Sequence, residues 1–168
     1  WAHQQEESFN DVLWISEQSA IALHAAGDTW RSDDGGLNWD WYGGGAYGGL
    51  VDGEFSPDHS VLLGVSMNGT IYRSTDEGGW WEEVLTGLGT LPAEWNIRWY
   101  DNEIAHVVGA GGFVFRTEDS GVTWRQLSSG TAAQINALQM RTDRFGLAVG
   151  HGGYLLRTTD GGRMWSAQ

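Results

Sequence analysis

Residues 116–124 read RTEDSGVTW, and three other stretches share the same frame: RSDDGGLNW at 31–39, RSTDEGGWW at 73–81 and RTTDGGRMW at 157–165. The common pattern is R-[ST]-x-D-x-G-x-x-W, and its closing tryptophans, Trp39, Trp81, Trp124 and Trp165, stand 42, 43 and 41 residues apart. A glycine four residues before each arginine, at Gly27, Gly69, Gly112 and Gly153, carries the register beyond the motif. A fixed period of this length marks one structural unit used repeatedly.

Each unit divides into four short runs of strand-forming residues. In the third they are EWNIRWY, IAHVVGA, FVFRTE and TWRQLS; in the fourth, INALQMRT, GLAVGH, YLLRTT and RMWSAQ. The runs are rich in glycine, β-branched and aromatic residues and lack sustained i, i+3, i+4 spacing, which excludes helical repeats. Four strands in about 40–45 residues is the size of a propeller blade. The expectation is an all-β chain of β-propeller blades, each of four antiparallel strands, over residues 8–43, 49–87, 94–129 and 134–168. WAHQQ at 1–5 aligns with WRQLS, so it resembles the last strand of an upstream blade. Residues 1–168 then form a single propeller domain or a segment of a larger or oligomeric one, because the end faces of an open arc must be covered.

The repeated residues have local work in the turn between the third and fourth strands. Asp34, Asp76, Asp119 and Asp160 can accept backbone N–H groups there, and the preceding Ser32, Ser74, Thr117 and Thr158 hydroxyls can add another bond. Gly36, Gly78, Gly121 and Gly162 suit backbone angles that a β-carbon disfavours. The tryptophans can bury their faces between adjacent sheets. Four equivalent copies of an acid argue for structure, since a catalytic constellation uses each residue once. Arg31, Arg73, Arg116 and Arg157 form an arc of positive charge that can recognise an acidic partner segment, or pair with neighbouring carboxylates and tryptophans.

Composition narrows the partners. Twenty-two acidic residues face nine arginines and no lysine, a formal charge of -13 that repels nucleic acid. The chain has no cysteine and no apolar run long enough to span a membrane. His3, His24, His59, His106 and His151 share no repeat position and show no metal-binding spacing. Nucleotide-binding loops and nucleophile elbows are also lacking, so no cofactor and no metal is expected.

GGFVFRTEDSGVTW and GGYLLRTTDGGRMW, following HVVGA and LAVGH, resemble the Asp-box, or bacterial-neuraminidase-repeat, propellers, and most closely the photosystem II stability and assembly factor family. The resemblance covers nearly the whole chain. It implies a non-enzymatic scaffold outside the cytoplasm (periplasm, thylakoid lumen or secreted), binding a protein, such as a membrane protein segment, during assembly. The four repeat arginines match that family's arginine position. That family usually builds about seven blades, against four boxes here. Sialidases and other glycoside hydrolases also resemble this chain in the boxes, but the R-I-P start of sialidases is absent.

Two further features suggest a glycan instead. Trp41, Tyr42 and Tyr47 lie in the run WDWYGGGAYGG, 39–49, read as a glycine-rich connection where aromatics can stack on a sugar or a partner side chain. Trp95, Ile97 and Trp99 alternate along one strand and fit either core packing or a carbohydrate site. Asp52, Glu54, Glu94, Asp101 and Glu103 can be arranged as a glycosidase carboxylate pair, with surface acids as the simpler reading.

Overall fold

The computed structural model describes residues 8–86 and 95–168. Residues 1–5 and blade limits 87 and 94 therefore lie outside the described residues. Four antiparallel sheets succeed one another along the chain, each a simple up-and-down meander. Sheet 1 holds β1 (Phe9–Trp14), β2 (Ala20–His24), β3 (Thr29–Ser32) and β4 (Asp40–Gly43). Sheet 2 holds β5 (Leu50–Phe55), β6 (Leu62–Ser66), β7 (Ile71–Ser74) and β8 (Glu82–Leu85). Sheet 3 holds β9 (Asn96–Trp99), β10 (Ala105–Val108), β11 (Phe113–Thr117) and β12 (Arg125–Ser128). Sheet 4 holds β13 (Ile135–Met140), β14 (Gly146–Gly150), β15 (Leu155–Thr158) and β16 (Ser166–Ala167).

The first strands β1, β5, β9 and β13 lie side by side in that order, so the sheets fan out from a shared inner edge. Alternation along each strand supplies apolar residues to both faces of the inner sheets, giving three layered cores. Ile21 and Leu23 of sheet 1 meet Leu50, Leu62, Tyr72 and Trp81 of sheet 2. Leu63 and Val65 meet Ile97, Val107 and Phe115 of sheet 3. Val108 and Val114 meet Leu138, Ala148, Leu156 and Trp165 of sheet 4. Trp95, Ile97 and Trp99 are buried in the second of these layers, which removes them from any carbohydrate site.

The glycines placed four residues before each arginine turn the chain between second and third strands. Their φ angles are 94°, 74°, 70° and 79° at Gly27, Gly69, Gly112 and Gly153, a region that other residues enter at a cost. At Gly27 space is also closed, because a β-carbon would stand 1.9 Å from the Ala46 carbonyl oxygen. Among the described residues no helix is long and apolar enough to cross a membrane.

Candidate functional site

The repeated turns have one hydrogen-bond plan. In sheet 1, Ser32 Oγ donates to Asp34 Oδ1 at 2.9 Å and accepts the Gly36 N–H at 2.9 Å. Asp34 Oδ1 also accepts the Leu37 and Asn38 N–H groups at 3.0 and 2.9 Å. Those backbone donors, Asn38's first, hold the Asp34 carboxyl at about 2. Ser74 and Asp76, Thr117 and Asp119, and Thr158 and Asp160 repeat the exchange, each hydroxyl accepting the N–H of Gly78, Gly121 or Gly162. Trp39, Trp124 and Trp165 donate to the carbonyl of their own turn glycine. Trp81 instead donates to Thr29 Oγ1 of the preceding sheet at 2.9 Å. Trp81 and Trp165 are buried, whereas Trp39 and Trp124 are half-buried.

The repeat arginines reach forward to the next turn. Arg31 pairs with Glu77, which keeps its guanidinium firmly protonated, and its Nε donates to Asp33 at 2.9 Å. Arg73 Nε donates to the Ser120 carbonyl at 2.9 Å. Arg116 is buried, pairs with Glu118, and lies beside Gly161, where an added β-carbon would stand 3.8 Å from its Nη2. Glu77, Ser120 and Gly161 occupy one repeat position, four residues after the local arginine. Arg157 is exposed and lies over the Phe145 ring at 5.8 Å. Arg31 and Arg73 are thus occupied by contacts between sheets, and Arg116 is buried and paired with Glu118 of its own sheet.

Acids of the inner strands make a second set of cross-links. Asp11 accepts the Gly53 N–H at 3.2 Å, Asp52 the Ile97 N–H at 2.8 Å, and Glu54 the Trp99 N–H at 2.8 Å. Asp52 and Glu54 are half-buried rather than surface acids, and burial pushes Asp52 up to about 6 and Glu54 upward. Their acceptor capacity goes to the neighbouring backbone, which the sequence reading did not anticipate. Glu94 lies outside the described residues. Among the described residues no cluster of His, Cys, Asp or Glu is arranged to hold a metal ion.

The aromatic run is divided by the fold. Trp41 and Tyr42 belong to β4, not to a connection, because Trp41 pairs with Trp30 across a register shift that extends the strand to Gly43. Tyr42 lies under the Arg31 cation at 5.2 Å and donates to the Asp76 carbonyl, so it is engaged between sheets 1 and 2. Tyr47 alone sits in the connection. A cleft there is lined by Asp28, Trp41, Gly44, Gly45, Tyr47 and Trp80. Trp41, Tyr47 and Trp80 are 62%, 81% and 68% exposed, three aromatics around a glycine floor. Trp41 also borders an adjoining hollow lined by Arg31, Asp33, Asp34, Asn38 and Asp40, in which three carboxylates outnumber one guanidinium. Trp80 was absent from the sequence candidates, although the doubled tryptophan in GGWW was a signal the repeat does not require.

Four sheets fanning from their first strands are shared with many solved structures. A structure described as "YCF48 bound to D1 peptide" superposes with a TM-score of 0.73 at 22% identity, over 98% of this chain and 54% of that one. The chain has the β-propeller fold. YCF48 from Cyanidioschyzon merolae gives a TM-score of 0.77 at 16% identity, over 100% of this chain and 58% of its own. A GH74 xyloglucanase from Xanthomonas campestris gives 0.68 at 17% identity, over 89% of this propeller chain and 28% of the enzyme. The propeller chain thus spans just over half the length of the two YCF48 chains. No family model and no curated protein matches the sequence.

Proposed function

We propose that this propeller is a non-catalytic scaffold that holds a polypeptide segment in the cleft between sheets 1 and 2. The observation that carries the reading is the group of exposed aromatics, Trp41, Tyr47 and Trp80, beside Asp28 and the acidic hollow. Large rigid rings supply contact area at small entropic cost, and the surrounding carboxylates favour a segment with basic residues. The three engaged repeat arginines turn the search for a partner away from their arc. The structural likeness to YCF48 with a bound peptide supports a role in assembling a membrane protein complex. Action outside the cytoplasm is part of the proposal and is checked by cell fractionation.

A glycan reading draws on the same three rings, which also suit stacking on sugar faces. Binding of the D1 peptide, of an array of basic aromatic peptides and of xyloglucan oligosaccharides to the chain separates the two. Peptide affinity is expected to fall at least about tenfold in Trp41→Ala and Trp80→Ala, as for central aromatic contacts, with unchanged melting temperature. Oligosaccharide binding without peptide binding would favour the glycan reading, and cleavage of the oligosaccharide would overturn a non-catalytic role.

A further inference from the structure

Trp80 and Trp41 stand at repeat positions that face solvent in the other sheets too. Trp80 comes one residue before the closing Trp81, where the other motifs carry Asn38, Thr123 and Met164, all exposed. Trp41 pairs with Trp30 as Glu83 pairs with Tyr72 and Gln126 with Phe115. Glu83 and Gln126 are exposed although another sheet precedes each of theirs. The propeller therefore requires no large ring at either position, yet at this junction both are tryptophan and both border one cleft.

The cleft is built between two sheets of the same chain. Gly44 makes a parallel bridge to Trp80, which fixes the end of β4 against the turn of sheet 2. A β-carbon on Gly44 would stand 2.7 Å from Asp28 Oδ1, and one on Gly45 would stand 3.7 Å from the Trp80 ring. Carboxylate and indole thus rest on adjacent glycines. Tyr47 rises from the same connection, its carbonyl held by the Tyr72 hydroxyl at 2.6 Å.

Asp28 is the one charged residue lining this cleft. Among the described residues nothing donates a hydrogen bond to its carboxylate: His24 Nδ1, 3.9 Å away, itself accepts the Ala26 N–H. Arg31, the cation of the adjoining hollow, is taken by Glu77 and Asp33. An unpaired carboxylate beside open aromatic faces attracts a cation, since the ring quadrupole is negative over its face and acts within about 6 Å. A guanidinium answers both groups. It is planar and weakly hydrated, stacks on aromatic rings, and presents an N–H fork to a carboxylate, whereas a lysine ammonium is compact and strongly hydrated.

We infer that the cleft holds one arginine side chain of the bound polypeptide, its guanidinium against the Trp80 ring and its N–H groups on Asp28. The inference rests on the reading of the cleft as a polypeptide site and names the side chain that the site selects. Tyr47 and Trp41 flank the stem of that side chain and exclude water from it.

Proton NMR of the capped tripeptide Gly-Arg-Gly, titrated with the 168-residue chain, tests it beside the citrulline tripeptide, which keeps the shape and lacks the charge. Ring currents should move the arginine δ-methylene protons upfield, and the citrulline peptide should bind about tenfold more weakly. Trp80→Ala should lower arginine affinity at least about tenfold, and Asp28→Asn at least about threefold, each with an unchanged melting curve. Both variants should also narrow the preference for arginine over citrulline, which lost contact area alone does not do. Equal binding of the two tripeptides, or a preference that survives both substitutions, overturns the inference and leaves a polypeptide site in place. Oligosaccharide binding with no peptide bound overturns the polypeptide reading and the inference with it.

Discussion

The junction between sheets 2 and 3 and the junction between sheets 3 and 4 have the same plan and differ at one buried residue. At the first, Leu63 lies under Gly121, and Arg73 bonds the Ser120 carbonyl. At the second, His106 lies under Gly162 with neither ring nitrogen hydrogen-bonded, beside a buried Arg116 whose Nε is also unpartnered. Burial, and then the Arg116 charge, hold the His106 imidazolium down to about 4, so the ring is neutral at pH 7. The difference shows that the residue under a turn glycine need not be apolar; under Gly78, at the junction of sheets 1 and 2, it is Thr29. A polar ring in that place costs stability that an aliphatic one does not.

Substitution of the glycines should give the largest effects. Gly121→Ala and Gly162→Ala force a β-carbon onto φ angles of 83° and 81° and to within 2.6 Å of Leu63 Cδ2 or 2.9 Å of His106 Nε2. Each is expected to destabilise by about 2–4 kcal/mol, combining backbone strain with overpacking, as measured by urea denaturation. A near-neutral result at Gly162 alone would show that the histidine yields where the leucine does not.

Next in size is Thr117→Val, which keeps the shape and removes the hydroxyl. The buried Gly121 N–H loses its acceptor at 3.0 Å and Asp119 loses a donor, an expected cost of about 1–3 kcal/mol. Thr158→Val should cost the same at the other junction, since Gly162 donates to Thr158 at 2.9 Å. Unequal losses would place part of the difference between the junctions in the turns themselves.

The smallest change at neutral pH is expected from His106→Leu, a gain of about 1–2 kcal/mol from removing unsatisfied buried nitrogens. Its pH dependence is more telling. His106 titrates at about 4 when folded against 6.5 ordinarily, so the unfolded chain binds more protons between those values. Its cost is small above pH 6.5 and grows as pH falls toward 4. The variant should therefore lead the native chain by about 2 kcal/mol more at pH 5 than at pH 7. Asp52 has the opposite sign, because its raised folded value of about 6 makes the protein gain stability as pH falls through that point. That contribution is common to both chains and drops out of the comparison. A constant lead across pH would mean that His106 is solvated.

The four-sheet architecture was legible because the repeat carries turn chemistry as well as period: a hydroxyl, a carboxylate and a glycine at fixed offsets describe a closed turn before any coordinates exist. The contacts that cross from sheet to sheet were harder to read. Arg31 and Glu77 are 46 residues apart, and nothing near either names the other. Asp52 and Glu54 look like ordinary strand acids until β9 lies beside β5 and presents the N–H groups of Ile97 and Trp99. Tyr42 and Trp41 were misplaced into a connection because glycines crowd the end of β4. Trp80 escaped notice because it stands in a variable position of the motif.

The forward reach of the arginines also has a temporal side. In sheets 2 and 3 the second strand is covered by the turn of the next sheet, Leu63 under Gly121 and His106 under Gly162, a turn that follows the sheet's own by 43 and 41 residues. A chain growing from its amino terminus at about 5–20 residues per second thus holds each finished sheet half-covered for about 2–8 s before the next turn reaches the ribosome exit. Leu63 spends that interval in water with little penalty beyond its apolar surface. His106 spends it able to take up a proton, and must lose that proton as sheet 4 settles over it.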